Sequence, residues 1–136
     1  MRSRLDLASS DAPTGISPNV TYRFATTTAD DKARLKVIAL PVLPITSENG
    51  MRVAVSIDGG APQVLDLKAA EFSQEWRHNV LTNSAVGEIN NLRLAPGAHT
   101  LKVFALDPGV ILDRFEIDFA GAQQAYGAVP ETRIAQ

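Results

Sequence analysis

Three consecutive segments in the last third of the chain alternate apolar and polar residues with a period of two. Such alternation is typical of half-buried β-strands, whose successive side chains point to opposite faces of a sheet. Turn signals separate the segments, first at Pro96-Gly97 and then at Asp107-Pro108-Gly109. This pattern constrains the fold more than any other feature of the chain. We interpret the region as the closing hairpin of an antiparallel β-sandwich.

The rest of the chain repeats this alternation of short apolar runs and turn residues. Strands are predicted over 20–27, 33–43, 51–57 and 63–67, with a polar turn at 30–32. Asp58-Gly59-Gly60 is a strong hairpin signal, and at most one short helix is predicted, within Lys68 to Val80. About eight short strands with little helix predict an all-β fold, an antiparallel two-sheet β-sandwich with jelly-roll connections.

The alternation also predicts which side chains form the core. Residues that share a face with other apolar residues are expected to be buried, and their polar neighbours are expected to face solvent. The predicted core residues are Val53, Val55, Ile57, Leu101, Val103, Phe115 and Ile117.

Length and composition exclude several classes of protein. The 136 residues suit one domain over 1–136, with a partly loop-like start at 1–19 and a C-terminal tail at 120–136. The net charge of −2 gives no reason to expect a nucleic-acid partner. No run approaches the roughly 20 apolar residues of a membrane span, and no signal-peptide pattern follows Met1. We therefore expect a soluble chain that binds neither nucleic acid nor membrane.

Catalytic motifs are scarce in this sequence. The absence of cysteine excludes a thiol nucleophile and thiolate metal sites. No Gly-x-Ser-x-Gly elbow and no His-x-x-x-His pair occur. Of the two histidines, His78 is expected near the surface, and His99 is expected to bond a loop carbonyl rather than to act in catalysis. The sequence indicates that the chain is not an enzyme by itself.

Carboxylates cluster near the last predicted strand. Glu116 and Asp118 alternate with apolar residues, so a solvated sheet face is the simpler interpretation. A calcium site that uses Asp107 and Asp113 is the more specific alternative, because hard cations take oxygen ligands from loops. Calcium is the one cofactor that the sequence suggests.

The only tryptophan lies in a polar stretch that could bind sugar. An exposed tryptophan can stack on a sugar ring while neighbouring polar groups bond its hydroxyls. The residues of this candidate site are Trp76, Arg77, His78 and Asn79, with Tyr22 and Tyr126 as lesser candidates. The rival interpretation is that Trp76 packs with Phe72 as a lid on the end of the sandwich.

Five blocks of the sequence resemble a known family. They cover residues 40–44, 51–60, 75–83, 97–103 and 107–113, and the tail segment 126–132 is similar to the closing segment of the same proteins. Together they resemble the C-terminal domain of glycoside hydrolase family 115, whose members are xylan α-glucuronidases. The resemblance implies a β-sandwich similar to galactose-binding-like folds and to carbohydrate-binding module family 35.

The resemblance assigns no catalytic residue to this chain, because the catalytic machinery of the family lies in domains N-terminal to this one. Two functions remain open. The chain could be a carbohydrate-binding module for xylan, glucuronoxylan or other glycans that contain uronic acid. It could instead be a structural domain that packs against the catalytic domains or a second subunit. In either role we expect it outside the cytoplasm, extracellular or periplasmic as part of a parent enzyme.

Overall fold

Two antiparallel β-sheets dominate the computed structural model, which describes residues 1–46 and 48–120. The four-stranded sheet has the order β1 (Asn19–Thr26), β6 (Gly97–Ala105), β3 (Arg52–Ile57) and β4 (Gln63–Asp66). The three-stranded sheet has the order β5 (Ala85–Leu94), β2 (Asp30–Ala39) and β7 (Leu112–Asp118). One helix, α1 (Gln74–Thr82), links β4 to β5. The predicted all-β sandwich with one short helix is confirmed.

The turn between β3 and β4 has the predicted hairpin geometry. Asp58 and Gly59 both have positive φ, of 50° and 74°, and Gly60 N–H donates to the carbonyl oxygen of Ile57 at 2.9 Å. Two successive positive φ values define the type I′ turn, whose twist matches that of paired strands. The turn therefore reverses the chain between β3 and β4, whose pairing runs from Val55 with Gln63 to Arg52 with Asp66.

The predicted closing hairpin is wrong. Strand β6 pairs with β1 and β3, whereas β5 and β7 both pair with β2 in the opposite sheet. The turns at Pro96-Gly97 and Asp107-Pro108-Gly109 therefore carry the chain from one sheet to the other. Alternation shows that one face of a strand is buried, but it does not identify the neighbouring strand.

The core lies between the sheets and contains four of the seven predicted residues, Val53, Val55, Leu101 and Val103. The other three, Ile57, Phe115 and Ile117, are only partly buried and pack against its margin. Strand β7 is an edge strand and Ile57 ends β3, so these side chains have neighbours on fewer sides. The prediction identified the correct faces but overstated burial at the edges.

Several element boundaries also differ from those predicted. Residues 30–32 belong to β2 rather than to a turn, and β2 ends at Ala39, before Pro41. Helix α1 begins at Gln74 and extends to Thr82, two residues past the predicted segment. Before β1, residues 1–18 contain no strand, apart from an isolated bridge between Arg2 and Ile111. Apart from Ala120, the predicted tail lies outside the described residues.

None of the helical structure in the described ranges has the length and apolar character that crossing a membrane requires.

Candidate functional site

Helix α1 presents an aromatic pair, Phe72 and Trp76, at the surface between β4 and β5. Ser73 caps the helix, and its side chain accepts a hydrogen bond from Trp76 N–H at 3.0 Å. The two rings are 5.2 Å apart and tilted by 54°. Trp76 is partly buried, whereas Phe72 is 70% exposed. Of the two rings of the proposed lid, Trp76 is thus the one that is partly covered by the chain, whereas most of the Phe72 ring lies in solvent.

The helix separates the four predicted sugar-binding residues. Successive helical residues are rotated by about 100°, so Arg77 points about 100° and His78 about 200° away from Trp76 around the helix. Both are exposed. The ring that the structure places against Trp76 is that of Phe72. Phe72 could have been included from its spacing of four residues before Trp76.

Asn79 faces inward, so its predicted role in sugar binding is wrong. It is the one buried residue of the helix. Its amide nitrogen, in the orientation that satisfies its surroundings, donates to the carbonyl oxygens of Ser84 at 3.1 Å and Glu75 at 3.3 Å. The backbone carbonyl oxygen of Asn79 accepts a hydrogen bond from Ser84 N–H at 3.0 Å. Asn79 therefore closes the C-terminal end of the helix.

The two lesser candidates lie elsewhere. Tyr22 is in β1, and its ring lies 5.1 Å from that of Phe115 in β7, at the open edge between the two sheets. This places it on the edge strands rather than on helix α1. Tyr126 lies outside the described residues.

The structure does not support a calcium site at Asp107 and Asp113. Asp107 is fully buried, and Arg52 donates to it from its backbone N–H, Nε and Nη2 at 2.9, 2.8 and 3.0 Å. Asp113 is exposed and pairs with Arg114 at 2.6 Å. Within the described ranges, no three acidic or histidine side chains gather as metal ligands. Arginine occupies the positions that a cation would take.

His99 is buried and bonds a loop carbonyl, as predicted. Its Nε2 lies 2.7 Å from the carbonyl oxygen of Ala95, and its Nδ1 lies 2.7 Å from Asp58. A neutral imidazole carries one N–H, so contact with two acceptors requires the protonated ring. The hydrogen bond to Asp58 is the main cause that raises the pKa of His99, and burial opposes it. The charged ring ties the β3–β4 turn to the β5–β6 turn.

A cleft of about 510 Å³, here called the turn cleft, was not predicted from the sequence. It lies where the β1–β2 turn, the β5–β6 turn and the end of β7 meet, and its polar lining residues are Thr28, Asp30, Asp31 and Arg93. These residues come from separate turns, so no linear motif marks them.

Comparison with solved structures finds similarity to a family GH115 4-O-methyl-α-glucuronidase, BtGH115A, described as having specificity for decorated arabinogalactans. The two are 32% identical with a TM-score of 0.67, over 76% of this chain and 13% of that chain. This chain thus spans a small part of that relative's length. No curated protein sequence matches it.

A second solved structure is that of the Podospora anserina GH26-CBM35 β-(1,4)-mannanase. It shares 11% identity and a TM-score of 0.54, over 91% of this chain and 26% of that chain, so the likeness concerns the fold alone. The model of the glycosyl hydrolase family 115 C-terminal domain matches residues 3–131, which is nearly the whole chain. The chain therefore belongs to the glycosyl hydrolase family 115 C-terminal domain family.

Proposed function

We propose that this chain is a non-catalytic carbohydrate-binding module that holds a family 115 hydrolase on plant polysaccharide, with glucuronoxylan or another uronic-acid-containing glycan as its ligand. The observation that carries the proposal is the aromatic pair, in which the exposed Phe72 lies against the partly buried Trp76, with the exposed Arg77 next along the helix. Aromatic rings stack on the apolar face of a sugar, and a guanidinium pairs with a uronate carboxylate through charge-assisted hydrogen bonds.

The backbone at Phe72 supports a role in binding. Its φ is 62°, a left-handed conformation that is unfavourable for a bulky residue and costs roughly 1–3 kcal/mol. A side chain that is 70% exposed recovers little of this cost through burial in the chain itself. Strained residues of this kind cluster at ligand contacts.

The charged groups support a non-catalytic role. Asp107 pairs with Arg52, and Asp113 and Glu116 both pair with Arg114. Burial works to raise the pKa of Asp107, but the hydrogen bonds from Arg52 hold it below its ordinary value, so this carboxyl is poorly suited to donate a proton as a general acid. The solved relative is described as a 4-O-methyl-α-glucuronidase, which supports a glycan ligand that bears an acidic sugar. A polymeric ligand also suits an enzyme that works outside the cytoplasm.

Affinity electrophoresis in gels that contain glucuronoxylan tests this proposal. Trp76→Ala and Phe72→Asn are expected to reduce retardation strongly, because both remove a stacking ring, and asparagine tolerates the positive φ at position 72. Arg77→Ala is expected to weaken binding to glucuronoxylan but not to a xylan without uronic acid. Leu81→Ala is the matched control, since Leu81 is on the same helix and 86% exposed. Equal retardation of the native chain and Trp76→Ala would overturn the proposal.

The assembly role is the second candidate, and the apolar surface of helix α1 favours it. Leu81 and Val80 on this helix are 86% and 48% exposed, and Phe72, which precedes the helix, is 70% exposed. Exposed large apolar side chains that adjoin one another often mark contacts with a protein partner. In this role the helix would pack against the catalytic domains or a second subunit.

Sedimentation velocity distinguishes the two roles. If the helix surface forms a dimer, the native chain sediments as one at high concentration, and Leu81→Glu makes it monomeric while sugar binding persists. If the surface binds sugar alone, the native chain remains monomeric throughout, and Leu81→Glu changes neither its mass nor its retardation in the gel.

A further inference from the structure

The turn cleft presents polar groups that the described chain leaves available. Both carboxylate oxygens of Asp30 already accept hydrogen bonds within the chain. Its Oδ1 accepts from Lys32 N–H at 2.8 Å, and its Oδ2 accepts from Ala120 N–H. The side chains of Thr28, Asp31 and Arg93 form no hydrogen bond or ion pair with any other residue of 1–46 and 48–120. A hydroxyl, a carboxylate and a guanidinium therefore line one open cleft and form no hydrogen bond with the part of the chain that the structure describes.

The walls of the turn cleft are held in place from behind. The carbonyl oxygen of Ala95, a lining residue, accepts from Thr26 Oγ1 and from the buried His99 Nε2, both at 2.7 Å. On the other side, the bond from Ala120 N–H to Asp30 ties the end of β7 to the start of β2. These bonds anchor the cleft at two places, the Ala95 carbonyl and the Asp30 side chain.

We propose that the turn cleft binds one neutral sugar unit. Its volume of about 510 Å³ lies within the usual range for small-ligand sites. Asp31 can accept hydrogen bonds from sugar hydroxyls, Arg93 can donate to them, and Thr28 can do either. Phe119 and Ala95 add apolar lining that matches the C–H face of a sugar ring.

Charge excludes a uronic acid as the favoured ligand. The lining contains two carboxylates, Asp30 and Asp31, and one guanidinium, Arg93. A uronate carboxylate would add a third negative charge to a site with a net charge of −1, whereas a neutral sugar avoids this repulsion. The turn cleft thus selects the opposite ligand class from the surface around Trp76 and Arg77.

The two sites are far apart and can be tested separately. The aromatic pair lies near the start of β5 and the turn cleft near its end, and ten strand residues span about 33 Å. This inference therefore does not depend on the proposed function, and either one can fail alone.

The test is an NMR titration of the ¹⁵N-labelled chain with xylotriose and, separately, with glucuronic acid. Xylotriose is expected to shift the amides of 28–31 and 93–95, with a dissociation constant on the order of 1 mM. Asp31→Ala and Arg93→Ala are each expected to weaken this binding by roughly tenfold or more. Arg4→Ala, which removes an arginine that is 77% exposed and has no assigned role in binding, is expected to leave it unchanged.

Three results would overturn the inference. The first is the absence of saturable shifts at 28–31 and 93–95 with xylotriose. The second is xylotriose binding that survives both Asp31→Ala and Arg93→Ala. The third is tighter binding of glucuronic acid than of xylotriose at these amides. Thermal unfolding of each variant identifies any loss of binding that comes from unfolding, and Thr28→Val then serves as a further substitution of an exposed lining residue.

Discussion

Asp107 remains ionised although it is fully buried, because Arg52 surrounds its carboxylate with donors. Burial works to raise the pKa of this carboxyl, and the hydrogen bonds from Arg52 outweigh it and hold the pKa below its ordinary value. The fork of the guanidinium supplies both geometry and charge. The pair connects the start of β3 to the β6–β7 connection, so a single carboxylate fixes a crossing between the sheets.

Asp107→Asn is expected to lower the free energy of unfolding by about 3 kcal/mol, because it removes the buried counter-charge of Arg52 and leaves only the exposed Asp11 as its ion-pair partner. Asp113→Asn, which breaks an exposed pair, is expected to cost less than about 1 kcal/mol. Urea titrations of both variants measure the difference. A stabilisation by calcium that Asp107→Asn removes would contradict this account of the site.

His99 makes stability depend on pH in a defined direction. Its pKa is raised above 6.5 in the folded chain, so its contribution is complete below pH 6.5 and is lost as pH rises through the folded value. Asp58 behaves in the opposite way. Burial works to raise its pKa, but hydrogen bonds from His99 and Thr100 N–H lower it below 3.8, so its contribution is lost as pH falls through that lower value.

Urea unfolding from about pH 5.5 to about pH 9 tests the histidine, whose ordinary titration lies in this range. The native chain is expected to lose stability as the pH rises, and His99→Gln is expected to lose this dependence. NMR titration of the ring protons gives the pKa directly, and Asp58→Asn should lower it. A parallel pH dependence in the native chain and His99→Gln would contradict the role of the imidazolium.

Among the elements, β4 and β5 meet at one margin of the sandwich, and Gly87 permits their close approach. A Cβ at this position would lie 2.6 Å from Leu67 Cδ2 and 3.2 Å from Leu65 Cδ1. Leu67 is buried, so it has little freedom to move away. Because glycine has no side chain, Leu65 and Leu67 can pack against the backbone of Gly87 and cover this edge of the core.

Gly87→Ala is expected to destabilise the chain by about 1–3 kcal/mol through overpacking. Gly15→Ala is the matched control, because nothing lies within 4 Å of its added Cβ, and its effect is expected to stay within about 0.5 kcal/mol. Thermal unfolding of the two variants measures both. Equal midpoints would show that Leu65 and Leu67 adjust without cost.

The sequence predicted the secondary-structure elements and their buried faces better than it predicted which strands pair with each other. Val53 and Val55 were placed correctly because alternation depends on local chain geometry. The pairing of β6 with β1 was not predicted, because it joins residues about eighty positions apart and leaves no local signal.

The prediction of the candidate site from the sequence has the same limit. Asn79 was misplaced because sequence proximity does not give direction around a helix, and the turn cleft is assembled from separate turns.

For the whole molecule, family membership and paired carboxylates lead to one prediction about activity. The purified chain is expected to release no 4-O-methylglucuronic acid from glucuronoxylan, because Asp107, Asp113 and Glu116 are paired with arginine. Chromatography of the reaction products, with a complete family 115 glucuronidase as positive control, measures this. Release that persists through purification and disappears in Asp113→Asn would contradict it.

The way the chain passes between the sheets also determines when they can form during synthesis. Strand β1 pairs only with β6, and β2 pairs with β5 and β7, so the first two strands must wait for partners made much later. Only β3 and β4 are neighbours both along the described chain and within a sheet. A nascent chain that has emerged only as far as helix α1 therefore holds one hairpin and two unpaired strands. The four-stranded sheet can be completed once β6 leaves the exit tunnel, and the three-stranded sheet only after β7 follows.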